Sequence, residues 1–165
     1  YPIKLYVSMR NGREYVLGHV SGAAGLDFIR VDRIKKVKTG IRCDEYQKFE
    51  NEYQANKSYL WGVSSGSAKD ITHIEMTVRA AEGEEFIVRR LEREKRNGHV
   101  YKITDQQYKY VVDTYDAMEL MPWIRTFMGR IEKLESSNPQ LKKKFDQDME
   151  QLYSMYFGEA QNDIS

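Results

Sequence analysis

IKLYVSMRNGREYVLGHVSGAAGLDFIRVDRIKKV, residues 3–37, decides the fold. From Pro2 to Met9 the chain alternates, with Ile3, Leu5, Val7 and Met9 on one side and Lys4, Tyr6, Ser8 and Arg10 on the other. That is the period of a half-buried strand. Asn11-Gly12 follows, and a type I′ turn needs positive φ at both central residues, which this dipeptide tolerates. A two-residue turn pairs Arg10 with Arg13, Ser8 with Tyr15, Tyr6 with Leu17 and Lys4 with His19 on one face. Val7 with Val16 and Ile3 with Val20 lie on the other, which is expected to be the core face.

Leu26 to Val31 follows a glycine-containing turn at Ser21–Gly25 and predicts a third strand, with Ile29 and Val31 inward and Phe28 and Arg30 outward. Ile34 to Lys38 predicts a fourth. The outward face then gathers Tyr6, Ser8, Arg10, Arg13, Tyr15, His19, Phe28 and Arg30, with Arg33 just beyond the strand. Planar rings stack on bases and forked guanidinium groups grip phosphates, so these nine residues form a candidate site for an anionic ligand. An ordinary solvated sheet face is the competing reading.

The same stretch resembles the WYL domain of bacterial transcriptional regulators, whose pattern is a strand, a short turn, a Trp-Tyr-Leu strand and a Phe-Arg-Leu-Asp-Arg-Ile strand. Phe28, Arg30, Asp32, Arg33 and Ile34 match the closing motif, with Ile29 as an extra apolar residue and Val31 in place of Leu. The tripeptide reads Glu14, Tyr15, Val16, so Tyr15 is retained and Glu14 replaces an aromatic residue. Residues 73–157, above all YDAMELMPWIRTFMGRIEKLESSNPQLKKKFDQDMEQLYSMY at 115–156, resemble the C-terminal extension that commonly follows a WYL domain. The resemblance implies an α+β chain: a small Sm/SH3-like β-barrel over residues 1–66 with a following helix, then a ferredoxin-like domain over 67–165. It also implies homodimers, control of an upstream winged-helix DNA-binding domain, and a single-stranded nucleic acid or nucleotide-like effector.

The residues between and beyond fit this division. Asp44 to Lys57 predicts a helix with Tyr46, Phe49 and Tyr53 as one aromatic stripe, and Ser64-Ser65-Gly66-Ser67 marks the boundary. Ile74, Met76 and Val78 alternate as a strand. Ala80–Arg96 predicts a helix closed by Asn97-Gly98, with the glycine as left-handed cap. Val100–Ile103 and Lys109–Tyr115 predict strands. Asp116 caps the next helix with Glu119 completing a capping box, and Pro122 kinks it or marks a later start. Arg130–Leu134 is the last strand. Asn138-Pro139 opens a final helix whose stripe is Leu141, Phe145, Met149, Leu152 and Tyr156. The βαββαβ order is that of a split βαβ unit with an extra C-terminal helix.

Chemistry is expected to be binding rather than catalysis. His19, His73 and His99 are scattered and Cys43 is the single cysteine, so neither a zinc site nor an internal disulfide is expected, and no cofactor is implied. No nucleophile motif or phosphate loop stands out, and Ser21–Gly25 lacks the P-loop lysine. The basic run Arg89, Arg90, Arg93, Lys95 and Arg96 alternates with Glu92 and Glu94 and reads as a solvated helix face, as does Lys142–Lys144. With 26 basic and 25 acidic residues the net charge is +1, so polyanion affinity has to come from a local patch. A lone cysteine and no apolar run of about 20 residues fit a cytoplasmic protein away from the membrane. The sensor reading competes with a plain dimerisation module, in which Arg30 and Arg33 pair with Asp27, Asp32 or Glu14 and no ligand binds.

Overall fold

A computed structural model describes residues 1–158 except Met9 and Ala24, so the places expected of those two residues lie outside the described part. The described residues fold as α+β, with two antiparallel sheets of three and four strands and four α-helices. In the first sheet β1 (Pro2–Val7), β2 (Glu14–His19) and β3 (Leu26–Arg30) lie in that order.

The hairpin register differs from expectation. Tyr6 faces Tyr15 and Leu5 faces Val16, two residues away from the pairing that a two-residue turn imposes. The Ser8 amide donates to the Arg13 carbonyl at 2.8 Å, and Asn11 Oδ1 accepts from the Arg13 amide at 3.0 Å. Asn11 therefore closes the loop as a side-chain turn rather than pairing with Gly12 in a tight one. Gly12 still takes the left-handed conformation, at φ 68°.

A two-residue slip leaves the faces unchanged, but the buried face is the opposite of the one expected. Leu17 is buried at 1% exposure, and Tyr6, Phe28 and Leu26 pack around it with Tyr53, Leu60 and Tyr115, joined by Ile3, an expected core residue that lies at an irregularity of the register between Pro2 and Lys4. Leu5 is 72% exposed, Val7 59% and Ile29 37%. The cause is the mass of the covering layer. Helix α1 (Tyr46–Asn56) and the turn after it bring aromatic rings, and rings on the sheet remove more apolar area against them than the aliphatic row offers. Ile34–Lys38 forms no strand: Val31–Arg33 turns once as a 3₁₀ helix, then the chain runs irregular to Cys43. The first sheet is accordingly open, and no barrel closes.

The second sheet has the order β5-β6-β4-β7, built from β4 (Thr72–Arg79), β5 (His99–Lys102), β6 (Gln107–Thr114) and β7 (Ile131–Ser136). Ile74, Met76 and Val78 are fully buried, as their alternation predicts. Helix α2 (Glu85–Glu94) starts five residues later than expected, after a turn with Gly83 at φ 84°. Its left-handed end is Arg96, at φ 49°, and not Gly98. Gly98 serves close packing instead, since a Cβ there would lie 2.3 Å from the Tyr110 ring. Asp116 caps a 3₁₀ turn by accepting from the Met118 amide, and α3 (Met121–Arg125) has Pro122 in its first turn. In α4 (Pro139–Phe157) Asn138 caps as expected, and Leu141 and Phe145 are buried. Leu152 and Tyr156, expected inside, are 38% and 74% exposed because the helix outruns the sheet it packs on. Among the described residues no helix is long and apolar enough to cross a membrane.

The segment after α1 is tied to the second sheet. Thr114 Oγ1 and the Tyr115 amide both donate to the Tyr59 carbonyl, and Asn97 donates to the carbonyls of Lys57 and Leu60. Trp61 packs in the larger core with Tyr110 and Trp123. The β1–β2 loop lies close to α2 and α3, where Arg10 shares a cavity with Arg90 and Trp123.

Candidate anion-binding cleft

The nine residues expected on one outward face do not form one site. Tyr6 donates its hydroxyl toward that of Tyr53, 3.3 Å away, and meets Phe28 edge-on, as Tyr15 does. Ser8 is buried and its Oγ accepts from the Arg10 amide. His19 stacks on Phe49 with ring centres 4.2 Å apart, and its buried Nδ1 has no partner among the described residues. Arg30 forks onto Asp32, with Nε 3.0 Å from Oδ1, so the guanidinium most central to the expected face is already paired. Asp32 is correspondingly held below the ordinary carboxylate range, first by that hydrogen bond. Arg13 and Arg33 are exposed beside it. Arg10 reaches a cavity.

That cavity, about 470 Å³, is lined by Arg10, Trp61, Arg90, Arg93, Glu94, Arg96, Glu119, Pro122, Trp123 and Thr126. Helical spacing assembles it. Arg90, Arg93 and Glu94 share one face of α2, and Glu119, Pro122, Trp123 and Thr126 share one face of the turn leading through α3, because residues three, four and seven apart stack. Trp61 forms the floor and Arg10 comes from the β1–β2 loop. Four guanidinium groups face two carboxylates and two indoles, within the size range of small-ligand sites.

The charges fall into a satisfied end and an unsatisfied one. At the first, Glu94 accepts from Arg90, from Arg93 at 2.9 Å and from the Trp123 indole at 3.0 Å. Burial works to raise the Glu94 pKa, but these bonds and the Arg90 charge outweigh it and hold the carboxyl below its ordinary value. Arg90 also donates to Thr126 Oγ1 at 2.7 Å and lies over the Phe127 ring. At the second end Arg96 is an exposed residue whose guanidinium sits 5.1 Å from the Trp61 ring centre and donates to the Trp61 carbonyl. Desolvation there lowers its pKa, yet an arginine stays charged at neutral pH. Glu119 has no hydrogen-bond partner for its carboxylate among the described residues. Burial raises its pKa, the nearby Asp116 charge adds to this, and Arg10 and Arg96 oppose it through charge alone.

Sequence reading missed most of this site. The solvated helix face expected of the basic run holds for Arg93, 72% exposed, and for Lys95, paired with Glu92, while the exposed Arg96 also lays its guanidinium against the Trp61 ring. Glu119 was assigned to a capping box, yet its side chain turns to the cavity and leaves Asp116 to cap alone. The one available signal was the four-residue spacing of Glu119 and Trp123. A wider groove between β7 and α4, lined by Lys142, Lys143 and Asp146, holds side chains paired along their own helix, as in Lys142 to Asp146 at 2.7 Å. No group of acids, histidines and cysteine able to hold a metal ion occurs among the described residues. Compared with models of known protein families and with curated proteins, the chain matches none.

Proposed function

We propose that this chain is the effector-sensing region of a bacterial transcriptional regulator of the WYL type, and that it binds an anionic, base-bearing effector in the Arg10–Arg96–Trp123 cleft. The observation that carries the reading is the excess of guanidinium over carboxylate around two indoles in one cavity. Guanidinium groups recognise phosphate through forked hydrogen bonds and indoles offer base-stacking surface. The paired Arg30 and inward-turned Tyr6 and Phe28 argue against the sheet face as the primary site. A second basic surface lies on Arg33, Lys35, Lys36, Lys38 and Arg42, all exposed with no acidic residue among them, which suits a nucleic-acid backbone.

Two features support the wider reading. The strand order β5-β6-β4-β7 fits the ferredoxin-like arrangement proposed for the C-terminal extension. The last turns of α4 expose Tyr153, Met155, Tyr156 and Phe157, a surface suited to the expected homodimer. The dimer would carry effector occupancy to an upstream DNA-binding domain, for which about 1–3 kcal/mol of coupling suffices.

Fluorescence anisotropy with labelled single-stranded DNA and RNA, at low and high salt, tests the site. Binding that weakens with salt, is lost in Arg96→Ala and survives in Arg30→Ala supports the cleft. Loss in Arg30→Ala with Arg96→Ala unaffected returns the site to the sheet face, and no binding at all leaves the dimerisation module.

A further inference from the structure

Glu119 is the anomaly in a cleft otherwise suited to anions. It is a half-buried carboxylate that no described side chain or amide bonds, and it lies on the same helical face as Trp123. Its position is set by backbone: a Cβ on Gly62 would fall 2.4 Å from Glu119 Oε2, so the glycine leaves the space that the carboxylate occupies. Arg10 and Arg96 lie at the same end. A simple phosphate would satisfy Arg10 and Arg96 and still leave the half-buried Glu119 carboxylate without a donor. The ligand that satisfies this end therefore carries a negative group, a planar ring and two adjacent donors for one carboxylate.

Among the common bases only guanine has that donor pair. Its N1–H and N2–H₂ stand side by side and match the two oxygens of a carboxylate, whereas adenine and cytosine each set one amino group beside a ring-nitrogen acceptor, and uracil sets one N–H between two carbonyls. We propose that the cleft selects a guanine base, with Glu119 as its specificity-determining acceptor, Trp123 as the stacking wall, and Arg10 and Arg96 on the phosphate. This rests on the anion-binding reading above and adds to it the identity of the base. No bond is made or broken. Because the carboxylate has to be ionised to accept both donors, the guanine preference fades as the solution is acidified through the Glu119 titration.

The test is a calorimetric comparison on the whole chain of GTP with ATP, and of an oligo-dT carrying one dG with the same strand carrying one dA. Native protein, Glu119→Gln and Arg96→Gly are compared, each first checked for an intact thermal melt, with Glu119→Ala as a second variant. The expected result is a guanine preference of about 10- to 100-fold, the range for a bidentate base contact, that disappears in both Glu119 variants while weaker, base-independent binding persists. Preference seen with GTP identifies a free nucleotide as the source of the base, and preference seen only with the strands identifies a nucleic acid. Equal affinity for guanine and adenine, with binding still lost in Arg96→Gly, overturns the guanine assignment and leaves the anion site standing. Absence of binding by all four probes overturns both.

Discussion

Arg96 and Trp61 hold each other in place: the guanidinium lies 5.1 Å from the indole centre and donates to the same residue's carbonyl. Arg96 does this from a left-handed backbone conformation, the only such non-glycine residue among those described. A left-handed conformation costs an L-residue about 1–2 kcal/mol, and cation–π contact returns about 0.5–2 kcal/mol. The two roughly cancel, which leaves the hydrogen bond to the Trp61 carbonyl as the contact that fixes Arg96 in the cleft.

Arg96→Gly is accordingly expected to destabilise by no more than about 2 kcal/mol, since glycine relieves the backbone as the ring contact and the hydrogen bond to the Trp61 carbonyl are lost. Anion binding is expected to be lost. Paired thermal melts and titrations check this; a variant that binds normally removes Arg96 from the site.

The exchange of faces in the first sheet has a direct mutational signature. Leu17→Ala opens a cavity beneath Tyr53 and Leu60 and is expected to cost about 2–5 kcal/mol. Leu5→Thr alters an exposed position and is expected to stay within about 0.5 kcal/mol. Urea unfolding of both variants decides; the reverse ranking would restore the aliphatic face as core.

Glu119 also predicts a pH signature. Its folded pKa is raised by burial above the unfolded value, so the protonated form is favoured in the fold and the ionised form costs stability once the pH exceeds the folded pKa. The Glu119→Gln variant is therefore expected to melt higher than native protein at about pH 7, with the difference vanishing near about pH 4, where the unfolded carboxyl is also protonated. A lower melting temperature at neutral pH contradicts the assignment of Glu119 as unpartnered.

His73 gives a slope of the same sign in a higher pH window, because its folded pKa is also raised. Its Nδ1 lies 2.7 Å from Asp113 and its Nε2 3.3 Å from Glu75, and its pKa is raised, first by the Asp113 hydrogen bond. Its contribution is fully present below the unfolded histidine pKa and is lost as pH rises through the folded one. His73→Ala is expected to lower the melting temperature at about pH 5 and leave it nearly unchanged at about pH 9. Equal effects at both pH values exclude titration as the cause.

Periodicity and caps made the second half legible. Ile74, Met76 and Val78 alternate into a buried strand, and Asn138-Pro139 opens α4 where the chemistry requires. The first sheet misled because both of its faces are apolar enough to be core, and the choice between them depends on Tyr53, Leu60 and Tyr115, residues distant in sequence. The cleft was hidden for the same reason. Arg10, Trp61, Arg96 and Glu119 come from four separate segments, and each has an adequate local explanation until tertiary bonds such as Asn97 to Leu60 bring them together.

The most direct test of the cleft as an anion site is intrinsic fluorescence, because the chain's two tryptophans, Trp61 and Trp123, both line it. Titration with inorganic triphosphate, which does not absorb where tryptophan does, is predicted to give a saturable change in emission that weakens with salt and is abolished in Arg96→Gly. Emission that stays constant, or that responds identically in native protein and Arg96→Gly, contradicts the account.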